Sequence, residues 1–281
     1  MRGKQVLITG STAGIGKAAA TALARLGAGV TIHGRTPARC AEVADEIRAS
    51  TGNADIDTLP FDLASLKSVR NAAKTYRTRY PKLDVLALNA GVFLAKREVS
   101  EDGFEKSFAM GFLGHFLLSR LLLPSLETAG EARVITVAAP LDRIKVNFDD
   151  LQLEKGYSFM KAVPQAKCLL VMAMLDLARE YAGKGITSNY MHPGLVKTDL
   201  LKETPWIFRA LLKVAGAPPE KGADTLVHLA SAPELKGVTG KFFNSRKEKP
   251  FKGMVADEAN WKRATEIGMK LSGLEKPVRK R

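Results

Sequence analysis

Thr9-Gly10-Ser11-Thr12-Ala13-Gly14-Ile15-Gly16 directly follows the apolar run Val6-Leu7-Ile8, and a strand is predicted to end here and a helix to begin. Glycines at this spacing allow a sharp turn and let a phosphate approach main-chain amides at a helix N-terminus, where the dipole favours an anion. An ordinary strand-to-helix turn is the alternative. The predicted dinucleotide-binding residues are Gly10, Ser11, Thr12, Gly14, Ile15 and Gly16.

Strand-like and helix-like stretches alternate through the rest of the chain. Further strands are predicted at 29–33, 55–59, 83–88, 133–137 and 186–191, and helices at 16–26, 36–48, 65–80, 101–126 and 159–181. This alternation is typical of an α/β fold of the Rossmann type, with a doubly wound parallel sheet and helices on both faces. We predict a single domain over residues 1–245, followed by a basic C-terminal extension over 246–281.

Composition and charge limit the possible functions. Of 281 residues, 46% are hydrophobic and 26% charged, which excludes a wholly disordered chain. Half of the net charge of +14 lies in the last 41 residues, where 12 lysines or arginines face 5 acidic residues. We expect a solvated tail or weak contact with an anionic membrane, and no nucleic-acid binding, because no basic stripe is interleaved with aromatic residues.

Cysteine, histidine and apolar patterns point to an intracellular protein without a metal. Cys40 and Cys168 are too few and too far apart for a disulfide framework, and the four histidines show no spacing typical of metal ligands. Neither a signal peptide nor an apolar stretch of the roughly 18 residues that a membrane helix needs is seen. We predict a cytoplasmic protein, at most peripheral to a membrane.

Arg35 closes the second predicted strand, about 20 residues past the glycines, where a site for an unphosphorylated ribose has an acidic residue. An arginine at this place can face a 2′-phosphate, so the sequence predicts NADP(H), with Lys17 and Arg39 as possible helpers. A solvated surface arginine is the alternative.

Together, these motifs resemble the short-chain dehydrogenase/reductase family, especially the branch of retinol dehydrogenases and light-dependent protochlorophyllide reductase. The resemblance covers about residues 4–245. It rests on the 9–16 turn, Gly34-Arg35, Asp62-Leu63, Asn89-Ala90-Gly91, Leu113-Gly114-His115-Phe116, and His192-Pro193-Gly194 through Thr198.

The resemblance implies a role for each matching position. It implies that Asp62 and Leu63 lie near the adenine and that Lys167 holds the nicotinamide ribose. The positions implied near the adenosine ribose are Asn89, Ala90 and Gly91, and those implied around the carboxamide are Pro193, Gly194, Leu195 and Thr198. Relatives are often dimers or tetramers, so the resemblance also implies a homo-oligomer.

The positions that carry catalysis in the resembled family depart from its pattern. The family has a tyrosine four residues before the lysine, and Val163 stands four residues before Lys167. Its serine should fall at Ala139, or alternatively Ala138, and its helix asparagine within 109–111, best matched by Gly111. Replacement acids or bases could come from Tyr157 or from the loop residues Asp142, Arg143 and Lys145.

We therefore predict an atypical enzyme that binds NADP(H) and acts on an apolar small molecule, with Lys167 as the retained catalytic residue. Its acid or base would be the substrate, a water, Lys167 or the loop after strand five. One alternative is a redox-inactive isomerase or cyclase that uses the cofactor to shape and charge its pocket. Another is a non-enzymatic NADP(H) sensor or scaffold. The apolar segment at about 200–216 suits a lid over the substrate, with core packing as the alternative.

Overall fold

The structure is a computed structural model that describes residues 1–196 and 216–274. The predicted lid at 200–216 therefore lies almost wholly outside the described residues, as does Thr198.

The described strands form one sheet in the order β3-β2-β1-β4-β5-β6-β7-β8. The strands are β1 (Gln5–Ile8), β2 (Gly29–Ile32), β3 (Ile56–Thr58), β4 (Val85–Leu88), β5 (Ala132–Val137), β6 (Ile186–His192), β7 (Phe242–Asn244) and β8 (Lys247–Lys249). Pairing is parallel from β3 to β7, and β8 adds an antiparallel edge. The strand order reverses between β1 and β4, and ligands of such sheets bind at the carboxyl ends of the strands at this point.

Helices cover both faces of the sheet, which confirms the predicted fold class. They are α1 (Gly14–Arg25), α2 (Pro37–Thr51), α3 (Leu66–Arg79), α4 (Lys106–Phe108), a π-helix (Ala109–Gly114), α5 (His115–Leu121), α6 (Leu123–Thr128), α7 (Phe159–Glu180), α8 (Pro219–Ser231) and α9 (Glu258–Leu271). Apolar residues of α1, α2 and α8 pack in one core, and those of α3 to α7 and α9 pack in another.

The pleat of the strands separates these two cores. In β1, Leu7 belongs to the core under α7, while its neighbours Val6 and Ile8 belong to the core under α1. All three side chains are fully buried. A strand buried on both faces is an uninterrupted apolar run rather than an alternating one, as the sequence shows at this point.

The helix predicted over 101–126 is interrupted in the structure. Residue Glu105 caps α4 by accepting from the amides of Ser107 and Phe108 at 2.8 and 2.7 Å, so the helix begins later than expected. The π-helix then precedes α5, and Pro124 lies in the first turn of a separate helix, α6. Proline lacks the amide that would continue a helix, which explains the break after α5.

The extension after residue 245 contributes to the sheet and to the helical layer. Strand β8 pairs with β7, and α9 packs along α7. Close packing is required at Gly268 of α9, where an added Cβ would lie 2.7 Å from the Phe116 ring of α5. Helix α7 is buried at every residue from 165 to 178, because it lies between the sheet and α9.

Candidate functional site

The glycine turn joins β1 to α1 at the carboxyl edge of the sheet. Gly10 has a φ of +66° and Gly14 a φ of +53°, the left-handed region that favours glycine. A Cβ on Gly14 would meet no atom within 4 Å, whereas one on Gly16 would lie 2.3 Å from the Gly10 carbonyl oxygen. Gly16 therefore keeps the turn tight, while Gly14 leaves open space beside the first turn of α1.

Thr9 and Asn89 tie the ends of β1 and β4 together under this turn. The Asn89 side-chain amide donates to the carbonyl oxygens of Thr9 at 2.9 Å and Gly10 at 3.2 Å. The Thr9 hydroxyl oxygen accepts from the backbone amides of Asn89 at 2.8 Å and Ala90 at 3.0 Å. The residues that follow two neighbouring strands are thus joined by hydrogen bonds. Gly91 lies beside them, and a Cβ added there would meet no atom within 4 Å.

The Thr9 hydroxyl also contacts a histidine that the sequence analysis gave no role. Its oxygen lies 2.9 Å from Nε2 of His115, which is fully buried. Burial, assisted by the positive charge of Lys167, holds the pKa of His115 well below its usual range. In the sequence, the motif around His115 indicates only the family resemblance. Its contact across 106 residues of sequence could not be read from local spacing.

His33, at the end of β2, contacts the glycine turn from the other side. Its backbone exchanges two hydrogen bonds with Ser11: the His33 amide donates to Ser11 Oγ at 2.8 Å, and the Ser11 amide donates to the His33 carbonyl at 2.9 Å. Its ring accepts from the Gly10 amide at 2.8 Å. The spacing of the histidines predicts no metal site, and no local pattern around His33 indicates this contact with the glycine turn.

Arg35 is exposed three residues beyond the end of β2, as expected of a residue that meets a phosphate from solvent. The two suggested helpers are engaged elsewhere in the structure: Lys17 pairs with Glu46, and Arg39 pairs with Glu42 at 2.7 Å and Glu46 at 3.7 Å. The ion pairs of the described residues do not involve Arg35. Thr12 lies against Gly34, since a Cβ there would be 2.7 Å from the Thr12 methyl group.

Asp62 and Leu63 follow β3 at the same edge of the sheet. Asp62 is half-buried, and its carboxylate accepts from the Ala64 amide at 2.9 Å. Leu63 is 1% exposed and packs in the core. Its carbonyl oxygen would lie 2.0 Å from a Cβ on Gly114 of the π-helix, so only glycine allows this approach. Both residues thus lie at the carboxyl edge of the sheet, and their place near the adenine stays a prediction.

Lys167 lies on α7 and reaches the end of β4. Its Nζ is buried and donates to the Ala90 carbonyl at 2.7 Å, beside the Asn89–Gly91 stretch. Burial lowers the pKa of this amine to about 7. Burial therefore favours the neutral form of this amine more than in an exposed lysine, and the amine lies beside the residues that hold the glycine turn.

The three positions predicted to depart from the family pattern lie on α7, just after β5 and in the π-helix. Val163 lies four residues before Lys167 on α7 and is half-buried. Ala138 is buried, whereas Ala139 is exposed and its carbonyl accepts from the Tyr190 hydroxyl at 2.5 Å. Gly111 belongs to the π-helix, and a Cβ there would lie 3.0 Å from the Ala166 Cβ. These positions present methyl groups, a valine and a glycine, and no hydroxyl or amide side chain.

The other suggested acids and bases have different surroundings. The half-buried Tyr157 hydroxyl donates to the Leu94 carbonyl at 3.0 Å, and burial is the main cause of its raised pKa. Asp142, Arg143 and Lys145 are exposed. Tyr157 therefore carries its proton firmly, and the loop after β5 faces solvent.

The stretch after β6 lies at the same carboxyl edge. Pro193 is half-buried, while Gly194 and Leu195 are exposed, Leu195 by 69%. Thr198, the fourth residue of this predicted group, lies outside the described residues.

Within the described ranges, no group of three or more histidine, cysteine, aspartate or glutamate side chains could hold a metal ion. In residues 1–196 and 216–274, no helix is both long enough and apolar enough to cross a membrane.

Comparisons with known proteins place these observations in context. Residues 4–206 match the family model described as short chain dehydrogenase. The chain is 39% identical over 282 residues to mouse polyprenol dehydrogenase, covering 96% of this chain and 84% of that protein. It is 35% identical over 296 residues to human retinol dehydrogenase 14, covering 98% and 88%.

Solved structures share the fold. A crystal structure of an uncharacterized protein from Mycobacterium paratuberculosis superposes with a TM-score of 0.79 at 26% identity, covering 99% of this chain and 96% of that chain. A gluconate 5-dehydrogenase from Burkholderia cenocepacia, in complex with NADP and tartrate, superposes with a TM-score of 0.67 at 25% identity, covering 87% and 94%.

Proposed function

Because this chain belongs to the short-chain dehydrogenase family, we propose that it binds NADP(H) and acts on an apolar small molecule without the usual serine-tyrosine-lysine chemistry. The proposal rests on one observation: Lys167 is present on α7, and Val163 stands four residues before it. The lysine is kept, buried and hydrogen-bonded to the stretch after β4, while the position one turn before it on α7 has no acidic hydroxyl.

The residues around the glycine turn fit a dinucleotide. Open space lies beside Gly14 and Gly91, where added Cβ atoms would meet nothing within 4 Å. Ala13 at the N-cap of α1 makes no side-chain hydrogen bond to the amides of the first turn, which leaves them for an anion. Arg35 supports NADP(H) over NAD(H), because it is exposed beside this turn and can pair with a 2′-phosphate.

When bound, NADP(H) supplies or accepts a hydride. The chain's own contribution is positioning and proton handling. Asn89 holds the turn, and Lys167 presents an amine whose pKa of about 7 lets it donate or accept a proton near neutral pH. Ala138 and Val163 supply no hydroxyl donor, so in our proposal the remaining proton is handled by the substrate itself, a water or Lys167.

An apolar substrate is supported by the side chains around this edge of the sheet. Phe93 and Phe159 pack edge to face with ring centroids 6.1 Å apart, and Met160 next to them is 58% exposed. Leu195 after β6 is exposed as well. The relatives named polyprenol dehydrogenase and retinol dehydrogenase 14 act, by their names, on apolar alcohols.

The test follows NADPH absorbance with a panel of ketones, aldehydes and enones. A positioned general acid contributes about 10²–10⁴ in rate and an oxyanion donor about 10²–10³. We expect wild type to bind NADPH and reduce simple ketones and aldehydes hardly at all, and the double variant Val163→Tyr/Ala139→Ser to reduce them faster. Neither change alone need suffice, because such residues act as a unit.

The matched control is Lys161→Tyr/Ala139→Ser, which places the tyrosine on an exposed position of the same helix. It should leave carbonyl reduction at the wild-type level while NADPH binding is unchanged. Rapid ketone reduction by wild type would mean that another group replaces the tyrosine, and the proposal of a lost carbonyl reductase site would be wrong. Substrate conversion without NADPH consumption would instead favour an isomerase or cyclase, and binding without any turnover would favour a sensor.

A further inference from the structure

The His33 ring bridges the two segments that flank the predicted adenosine site. On one side its Nδ1 lies 2.8 Å from the Gly10 amide nitrogen, and on the other its Nε2 lies 3.2 Å from the Phe61 carbonyl oxygen. The ring also packs on Phe61, with centroids 4.0 Å apart. Gly10 belongs to the glycine turn, and Phe61 directly precedes Asp62, so a single side chain connects the two regions.

These two contacts determine where the imidazole proton lies. A backbone amide can only donate and a carbonyl oxygen can only accept, so Nδ1 must be the unprotonated nitrogen and Nε2 must carry the hydrogen. His33 is 3% exposed, and burial lowers its pKa to about 4, with the Phe61 carbonyl and Asp62 acting in the opposite direction. The ring is therefore neutral at pH 7 and present as one tautomer.

Gly10 has little freedom to adapt if this contact is lost. Its φ is +66°, and its Cα position is so close to Ala90 that an added Cβ would lie 2.9 Å from the Ala90 Cα. Its carbonyl oxygen is already bound by the Asn89 side chain. Without Nδ1, the Gly10 amide would be left without its acceptor, and the turn could satisfy it only by moving.

We propose that His33 is a positioning residue for the dinucleotide, which holds the Gly10 end of the glycine turn in register with the 61–63 segment. The inference rests on the proposed cofactor binding and names a residue outside the set that the glycine motif predicts. Because His33 acts on the turn and not on the 2′-phosphate, it strengthens binding of NADPH and NADH alike. Arg35, by contrast, acts on the difference between them.

The test compares two substitutions of His33 by calorimetry with NADPH and with NADH. His33→Leu fills the space but offers no acceptor, and we expect it to raise both Kd values about tenfold and leave their ratio unchanged. His33→Asn places a carbonyl oxygen near the position of Nδ1, and we expect it to keep both Kd values within about threefold of wild type. His228→Leu on α8, remote from the turn, is the control and should bind as wild type does.

A merely structural role gives a different result. If His33 were only structural, both substitutions would lower the free energy of unfolding of the cofactor-free protein. The affinity for the nucleotides would then not recover in His33→Asn. A folded His33→Leu that binds within twofold of wild type, or a His33→Asn as weak as His33→Leu, would overturn the inference. If His33→Leu fails to fold, His33→Gln decides, since its longer amide reaches toward Phe61 and leaves Gly10 without an acceptor. Equal affinities of the Gln and Asn variants would then count against it, and a wild type that binds neither nucleotide would contradict the proposed function itself.

Discussion

Lys167 is buried on α7 and, among the described residues, makes no salt bridge. Burial is the cause of its lowered pKa, and the same cause lowers the pKa of His33 and His115 nearby. These three bases, whose pKa values are lowered by burial, contact Gly10, Thr9 and Ala90, beside residues proposed to bind an anionic nucleotide. Binding should therefore favour their protonated forms, and Lys167 is the one whose pKa lies near neutral pH.

We therefore expect the protein to take up protons when NADPH binds near pH 7. Burial holds the pKa of the Lys167 amine near neutral pH, and a negative charge beside the amine raises it, so a fraction of a proton per site should be taken up. Uptake should shrink as the pH falls well below 7, where the amine is already charged. Calorimetry in buffers of different ionisation enthalpy measures it. Lys167→Met should abolish the dependence on buffer, and an unchanged dependence in that variant would assign the proton to another group.

At Arg35 the prediction concerns the choice of cofactor. Charge-assisted hydrogen bonds contribute about 1.5–3 kcal/mol, so wild type should bind NADPH roughly 10–100-fold more tightly than NADH. Arg35→Ala should remove most of this preference while leaving NADH affinity unchanged. Arg25→Ala, an exposed arginine at the far end of α1, is the matched control in calorimetry. Equal affinities of wild type for both nucleotides would show that Arg35 is a solvated surface residue.

At the scale of elements, the π-helix and the packing of α9 are the features with the clearest consequences. The π-helix lies where Gly111 faces Ala166 of α7 and where Gly114 is approached by the Leu63 carbonyl. Small residues at these places let the helix lie close to both neighbours. π-Helical turns are rare and frequently occur at functional sites, in agreement with the position of this one beside Lys167.

In helix α9, we expect Gly268→Ala to destabilise the protein, which is the reverse of the usual effect of replacing a helical glycine by alanine. Glycine in the middle of a helix normally costs about 0.5–1 kcal/mol relative to alanine, so Gly268→Ala would ordinarily stabilise the protein. Here the added Cβ would lie 2.7 Å from the ring of Phe116, which is fully buried and cannot move aside. We expect a loss of about 1–3 kcal/mol in urea unfolding.

Glu266→Ala, on the exposed face of α9, should change stability by less than about 0.5 kcal/mol and serves as the control. A stabilised Gly268→Ala variant would show that α9 does not pack against α5 as described.

At the scale of the whole molecule, the C-terminal part of the chain both packs into the fold and carries much of the net charge. Residues 246–274 contribute β8 and α9, which packs along α7. Beyond Leu274 the sequence adds four basic residues and one acidic residue. We keep two predictions that the comparisons leave open, a homo-oligomer and weak contact of the basic extension with anionic surfaces.

Truncation separates the folded part of this extension from its charge. A chain ending at Asn244 loses α9 and should unfold at a markedly lower temperature, because α7 loses its cover. A chain ending at Leu274 should keep the wild-type Tm and bind anionic vesicles more weakly at low salt, since each basic residue near such a surface contributes about 1 kcal/mol. Vesicle co-sedimentation measures this, with neutral vesicles and high salt as controls. No difference between the Leu274 form and the full chain would leave the last residues with a solubilising role alone.

The sequence by itself determined the features that depend on neighbouring residues. The glycine turn, the alternation of strands and helices and the place of Lys167 four residues after Val163 are all local patterns, and steric and hydrogen-bonding rules act over such distances. The fold class followed because strands that alternate with helices typically join as a parallel sheet with helices on its faces. Arg35 was predicted in the same way, from its distance to the glycines.

Only the tertiary structure decided which side chains meet. Lys167 reaches Ala90 across 77 residues, and Thr9 meets His115 across 106. The sequence predicted one continuous helix where the structure has α4, a π-helix, α5 and α6, and it gave no role to His33. Such contacts depend on how elements pack, because a buried donor or acceptor takes whichever partner the surrounding core brings within reach, and no spacing along the chain encodes that partner.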